Sequence, residues 1–273
     1  MKTINPKDIS PVQLQTVMQT AISPRPIALA STIDKDGNPN LSPFSFFNMF
    51  STVPPVLIFS PARRVRDNTT KHTLENVLEV PEVVIGTVNF PIVQQISLAS
   101  TEYGDDVNEF VKAGLTMKDA DLVQPKLIAE SPVNFECKVL EVKPLGNDGG
   151  AGNLVICEVQ KIHIREEYCD ENGNLDQTKL DMVARLGSNW YSISNQESLF
   201  DVPKPLVTKG IGFDELPENI RYSKIFTGND LGMLANVEEL PGVDFYAEEH
   251  IHQEAQKLLL ENRISEAWQL LTK

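Results

Sequence analysis

The sequence predicts a mainly β fold, an antiparallel barrel or sandwich with helices at its periphery, followed by a helical tail. Three observations support this. About six or seven apolar, strand-like runs are joined mostly by turns and rarely by helices. No GxGxxG motif follows any of them, which argues against the dinucleotide seat of a parallel sheet. Beyond residue 204 the strand pattern stops and helical spacing takes over.

In chain order, Ser10 is an N-cap and Pro11 takes the first position of a helix that runs to about Met18. Ser23-Pro24-Arg25-Pro26 follows, held extended by its prolines. Residues 27–33 and 41–50 read as strands around Asp34-Lys35-Asp36-Gly37-Asn38, a hairpin signal. Residues 56–60 and 83–89 add two apolar strands on either side of a helix in which Leu74, Val77 and Leu78 recur at helical spacing. From 91 to about 122 helix and loop alternate, and the apolar Ile92, Val93 and Ile96 give way to Ser97, Tyr103 and the acidic Asp105-Asp106. Residues 132–142 and 154–164 form a second pair of long strands, joined by Gly146-Asn147-Asp148-Gly149-Gly150-Ala151-Gly152, which reads as a flexible hairpin loop. A turn at Asp170-Glu171-Asn172-Gly173-Asn174 precedes a short helix from about Thr178. Val202-Pro203-Lys204-Pro205 marks a boundary, so one domain is expected over 1–204 and a helical extension over 205–273. Within the extension, one amphipathic helix over about 247–271 would carry Ile251, Ala255, Leu258, Leu259, Ile264, Ala267 and Leu271 on a single stripe, packed on the chain's own body or on a partner subunit.

Composition narrows the function classes. A chain of 273 residues, 41% hydrophobic, can bury one large core and a smaller appendage. A net charge of −14 argues against a nucleic-acid surface, since nothing here neutralises a row of phosphates. The opening residues lack an apolar stretch long enough for secretion, and no run could span a bilayer, so a cytoplasmic protein is expected. Cys137, Cys157 and Cys169 are odd in number and form no CxxC pair, which points to reduced thiols. Histidines at 72, 163, 250 and 252 are too scattered to build a metal site, and none is expected.

Two segments could carry chemistry. Arg63-Arg64-Val65-Arg66-Asp67-Asn68-Thr69-Thr70-Lys71-His72-Thr73 holds four basic residues where this acidic chain should average about one, and it ends in the first turns of a helix. Guanidinium, ammonium, hydroxyl and free N–H groups together suit a phosphate. The plainer alternative is a solvated helix start. The second segment is Asn40-Leu41-Ser42-Pro43-Phe44-Ser45-Phe46-Phe47-Asn48. Its proline excludes a regular central strand, so backbone groups near residues 42–45 should be free of ladder pairing, beside flat aromatic surface. That suits a planar heterocycle with a polar edge. Alternatively, the phenylalanines fill a barrel core and the serines form an irregular turn.

Taken in order, Ser23-Pro24-Arg25-Pro26-Ile27-Ala28, the 40–48 segment, Pro54-Pro55 and an Arg-Asp-x-Thr-x-Lys-x-Thr run resemble the flavin reductase-like family of FMN-binding split barrels. Glu109-Phe110 with Ala113-Gly114-Leu115, Phe135-Glu136-Cys137, and Arg185-Leu186-Gly187 with Tyr191 continue the resemblance over about residues 20–195. It implies a six-stranded antiparallel barrel binding FMN non-covalently, usually as a homodimer. Ser42, Pro43, Phe44 and Ser45 would lie along the isoalloxazine with Asn48 close by. Ser60, Arg66, Asn68, Thr69, Lys71 and Thr73 would hold the phosphate. The usual Arg-Asp-Gly-x-Pro-Lys-Asp-Thr pattern is altered here: Asn68 stands for the glycine, Thr70 for the proline and His72 for the aspartate. Asparagine tolerates the left-handed backbone such a turn needs.

The implied function is an FMN-containing oxidoreductase that uses NADH or NADPH to reduce flavin or to pass electrons to an acceptor protein. The alternatives are a non-enzymatic FMN electron carrier of flavoredoxin type and a module binding another phosphorylated ligand. Hydride transfer to a flavin needs no side-chain acid or base, so catalytic candidates are few. Arg185 and Tyr191 match the family motif and could border a ring, although Arg185 could equally make a core or interface salt bridge. His163 could face the flavin or be a satisfied structural histidine.

Overall fold

Strand β1 (Ala28–Ile33) is buried along its whole length because residues on both of its faces find a core. Ile27 and Leu29 point to one side, while Ala28 and Ala30 point to the other. The computed structural model describes all residues except 105, 106 and 206, so the acidic pair expected at 105–106 lies outside the described residues. Around β1 run β2 (Pro39–Phe44), β3 (Phe47–Thr52), β4 (Pro55–Phe59), β5 (Glu82–Thr87), and the long β8 (Val133–Pro144) and β9 (Asn153–Ile164). They form a seven-stranded sheet in the order β2-β1-β5-β8-β9-β4-β3, with every pairing antiparallel.

The two edge strands of this sheet are neighbours in sequence, since β2 ends at Phe44 and β3 begins at Phe47. Three Cα steps reach at most about 11 Å. In a flat sheet the edges would lie about 29 Å apart, six spacings of about 4.8 Å. The sheet must therefore curl enough to bring the Phe44 end of β2 close to the Phe47 end of β3. No ladder joins β2 to β3, so the barrel stays split along that seam. This corrects two expectations. The 41–50 run is not one strand but two, bent at Ser45–Phe46, which is why the count is seven where the resemblance implied six. Pro43 does belong to a strand, paired with Leu29, but on an edge where its missing N–H is tolerated. Backbone in the 42–44 stretch is thus free of pairing on one side only.

Inside the curl, Ala28, Phe44, Phe59, Ile85, Cys137, Val155 and Cys157 form one core, closed by Leu74 and Val77 of α2 (His72–Glu79). Outside it, Leu29, Leu41 and Val84 are covered by α3 (Val93–Ala99) and α4 (Glu109–Ala113) through Ile96 and Phe110. Register shifts at Glu136/Cys137 and Val139/Glu141 bend the long β8–β9 pair around the barrel. Helix α1 (Pro11–Ala21) opens on the expected cap, now a full capping box between Ser10 and Gln13, and extends three residues beyond Met18. Short elements complete the body: β6 (Met117–Lys118) with β7 (Leu127–Ile128), α5 (Gln177–Leu180), and the hairpin β10 (Met182–Arg185) with β11 (Tyr191–Ser194).

Chain contacts divide the molecule into Met1–Leu199 and Phe200–Lys273. The second unit holds α6 (Glu218–Arg221), α7 (Gly228–Leu234), α8 (Glu249–Leu260) and α9 (Ile264–Leu271). The single long helix expected over 247–271 is broken after Leu260, with Asn262 in the left-handed region at φ 58°. The break lets α9 fold back, so Ile251, Ala255, Leu258, Leu259, Ile264, Ala267 and Leu271 all join one core with Trp268 and Leu234. The apolar stripe is therefore satisfied within its own unit. No helix among the described residues is long and apolar enough to cross a membrane.

Candidate functional site

The loop between β4 and α2 is the basic run, and it is built as a compact turn. Asn68 takes the left-handed conformation at φ 57°, as its replacement of glycine requires. Asp67 accepts hydrogen bonds from the Thr69 hydroxyl (2.7 Å) and N–H (3.1 Å), and these, with Arg66, draw its carboxyl down to about 2. Arg63 clamps Asn68 through its side-chain and backbone oxygens, both at 2.6 Å. Arg64 bonds the Thr69 hydroxyl at 2.9 Å and the Thr70 carbonyl.

Beside this loop lies a small polar pocket of about 30 Å³, walled by Ser42, Arg64, Lys71, His72, Thr73 and residues 99–103, with Asn40 and Glu109 at its base. Lys71 is the N-cap residue of α2, and its ammonium sits 5.7 Å from the centroid of the Phe44 ring. Among the described residues that ammonium makes no hydrogen bond and no ion pair. Burial, and then the nearby Arg64, lower its pKa. An inward-turned ammonium beside a guanidinium and a serine hydroxyl, at a helix start, can hold an oxyanion.

Of the other sequence-predicted phosphate residues, Thr73 lines this pocket and Ser60, Arg66, Asn68 and Thr69 do not. Thr73 is buried and gives its hydroxyl to Asn40 Oδ1 (2.8 Å), in a network that reaches Glu109. Arg66 is 72% exposed and pairs with Asp67 and Glu102. Asn68 donates to the Asn147 carbonyl (3.0 Å), and Ser60 lies at the end of β4, where its N–H bonds the Phe46 carbonyl (2.9 Å).

The seam of the barrel borders an apolar cleft of about 420 Å³, walled by Leu14, Met18 and Ile22 of α1 together with Arg25, Phe46, Val65 and Gly149-Gly150. Arg25 is buried and donates to the Gln19, Ile22 and Leu186 carbonyls at 2.5, 2.6 and 3.0 Å, and more weakly to Ser45 Oγ at 3.4 Å. It thereby ties α1 and the β10–β11 corner to the serine seam. Phe44 turns inward against Phe59, with ring centroids 5.4 Å apart, so only its backbone faces a ligand at the seam. Asn48 is exposed on the free edge, where its side chain accepts from the Met49 N–H.

Arg185 and Tyr191 are cross-strand partners, the guanidinium 4.6 Å from the ring centroid, and Arg185 exchanges backbone hydrogen bonds with Arg25. No salt bridge to Arg185 is found among the described residues. His163 stands apart from both pockets. It is paired at 2.5 Å with the fully buried Glu136, whose oxygens also accept the N–H groups of Asp121, Leu122 and Val123. Asp121, Glu136 and His163 bring ligand-capable atoms within 4.8 Å of one another. The three N–H donors already engage both oxygens of Glu136, and the Lys161 ammonium, 2.5 Å away, engages one oxygen of Asp121. Cys137 and Cys157 are buried free thiols inside the barrel; burial pushes Cys137 up to about 12 and raises Cys157 as well, which disfavours the thiolate in both.

Residues 20–179 match the model of the flavin reductase like domain. The chain belongs to the flavin reductase-like family. A protein of Aquifex aeolicus is 38% identical over 170 residues, covering 62% of this chain and 84% of that protein. One from Halalkalibacterium halodurans is 32% identical over 202 residues, covering 73% of this chain and 96% of that protein. Among solved structures, nitrilotriacetate monooxygenase component B from Bacillus cereus superposes with a TM-score of 0.69 at 25% identity, covering 98% of that chain and 74% of this one. Flavoredoxin of Desulfovibrio vulgaris shares the fold, with a TM-score of 0.55 at 20% identity, over 92% of that chain and 67% of this one.

Two parts of this flavin reductase-like domain escaped the sequence reading. Arg64, not Arg66, is the arginine that lines the polar pocket, because Arg64 turns inward to the Thr70 carbonyl while Arg66 points to solvent. The glycine loop is docked, not free: Gly150 donates to the Arg63 carbonyl (2.9 Å) and Arg63 to the Ala151 carbonyl (2.8 Å). A Cβ at Gly149 would stand 3.0 Å from the carbonyl oxygens of Arg64 and Val65. Four glycines in seven residues were the available signal, since close backbone approach is one use of glycine.

Proposed function

We propose that this chain is an FMN-binding flavoprotein oxidoreductase that takes electrons from NADH or NADPH and acts as a homodimer. The observation that carries the reading is Lys71, an inward-turned ammonium with no hydrogen bond or ion pair of its own among the described residues, set in one polar pocket with Arg64 and Ser42. A phosphate dianion supplies the counter-charge such a group lacks. In this reading Lys71, Arg64 and Ser42 hold the FMN phosphate. The backbone of residues 42–45 runs along the ring, and the apolar cleft beside Phe46 and Arg25 receives the ring and the nicotinamide. When bound, FMN supplies the hydride-accepting chemistry. The protein's part is to fix the phosphate, to present N–H and C=O groups of the seam to the ring edge, and to exclude water with the α1 side chains.

The unpaired edge of β3 supports dimerisation. Met49 and Phe50 are 64% and 63% exposed there, and Val53 is 90% exposed at the following turn. The test of the reading is an absorption spectrum of the purified protein with FMN, before and after anaerobic NADH and NADPH. Yellow protein that bleaches rapidly supports the enzyme. Yellow protein that keeps its colour would make it a carrier of flavoredoxin type. Protein that does not retain FMN would end the proposal.

A further inference from the structure

The polar pocket already contains an anion of the protein's own. After α3 the chain passes Ser100 and Thr101 and places Glu102 against the basic loop. One carboxylate oxygen lies 3.0 Å from Arg64 Nε and the other 3.0 Å from Arg66 Nη2. Arg64 is fixed by its further bonds to Thr69 and Thr70, whereas among the described residues the Glu102 side chain is held by the two arginines alone. Glu102 is also about half exposed, so it can swing into water without leaving a buried charge behind. The second carboxylate at the pocket, Glu109, is turned away to the Asn40 amide (3.0 Å) and the Leu41 N–H (3.1 Å) and does not compete for the arginines. The room left beside Glu102 is about 30 Å³, enough for one or two waters and too little for a phosphate group.

We propose that Glu102 is an internal competitor for the phosphate seat, which makes the bound mononucleotide an exchangeable substrate instead of a permanently held group. The inference rests on the phosphate reading of the preceding subsection. An entering phosphate exchanges a single carboxylate charge for its own, nearly double, charge at Arg64 and Lys71, so it can displace Glu102. On departure the carboxylate closes over Arg64 again and blocks rebinding. Affinity is thereby lowered and release hastened, while a neutral ligand such as riboflavin gains nothing by displacing it.

Glu102→Gln keeps the size of the side chain and removes its charge. In fluorescence titrations and stopped-flow release, the variant is expected to bind FMN about 5- to 30-fold more tightly, with the gain mainly in a slower release rate, and to bind riboflavin as the wild type does, within about twofold. Glu102→Ala should move FMN in the same direction. An FMN affinity that is unchanged or weaker in both variants, with wild type still preferring FMN to riboflavin, would overturn the competitor role and leave the phosphate seat standing. Wild type that does not distinguish FMN from riboflavin would overturn the seat itself, and this proposal with it.

Discussion

Replacing Lys71 by methionine separates what its ammonium does for a ligand from what it does for the fold. The ammonium makes no hydrogen bond or ion pair among the described residues, and burial depresses its pKa, so the folded protein bears a desolvation cost that the nearby Glu102 charge and the Phe44 ring only partly offset. Methionine keeps an unbranched stem to pack beside Phe44, and stability should stay level or rise by about 0.5–1 kcal/mol. Binding should respond in the opposite direction. A charge-assisted hydrogen bond to a phosphate contributes about 1.5–3 kcal/mol, so FMN affinity should fall about 10- to 150-fold while riboflavin affinity holds. Arg66→Ala is the internal control: that guanidinium is 72% exposed, and its loss should cost less than about fivefold. Fluorescence titration and urea unfolding of the two variants give all four numbers. A Lys71→Met protein that binds FMN normally, or an Arg66→Ala protein that is the worse of the two, refutes the reasoning.

Because the Lys71 pKa in the free protein lies below its ordinary 10.5, the unfolded chain holds more protons between the two values, and stability should rise with pH across that window. Phosphate should push Lys71 back up, so FMN affinity should fall as pH climbs through the free-protein value, and Lys71→Met should flatten the profile. Burial pushes Glu136 up, but N–H donors from the 121–123 turn and His163 outweigh it and hold the carboxyl below its usual range. Its contribution is complete above about 4.5 and fades as acid titrates the folded form; Glu136→Gln should cost about 2–4 kcal/mol in urea unfolding at neutral pH. Gly149→Ala forces a methyl against two backbone carbonyls and should lower stability by about 1–3 kcal/mol and weaken FMN binding along with it. Phe50→Asp, on the free β3 edge, should convert a dimeric mass to a monomeric one in light scattering without altering the far-ultraviolet circular dichroism.

Strand positions were legible because they rest on local pattern. The runs at 27–33, 56–60, 83–89, 132–142 and 154–164 each appear within a residue or two of their expected ends. The run at 41–50 was misread because its alternation continues through Ser45 and Phe46, where tertiary closure bends the chain. The Asn68 turn was legible since asparagine alone reports a left-handed backbone at a glycine position. Which arginine lines the pocket was not legible. Arg64 and Arg66 are equivalent in composition, and only the course of the loop over the β2 edge turns one inward. Glu102 gave no signal at all, since a glutamate at an α3 end is ordinary in a chain with 38 acidic residues.

From the sequence alone came an antiparallel β body, a family, a left-handed turn within a basic loop and a helical tail, because each rests on neighbours a few residues apart. Tertiary structure alone decided the split seam between β2 and β3, the exchange of Arg66 for Arg64 at the pocket, the clamp of Glu102 on the arginines and the folding of the C-terminal stripe onto itself. Those outcomes depend on groups on different elements meeting in space, and local spacing carries no record of which partner wins.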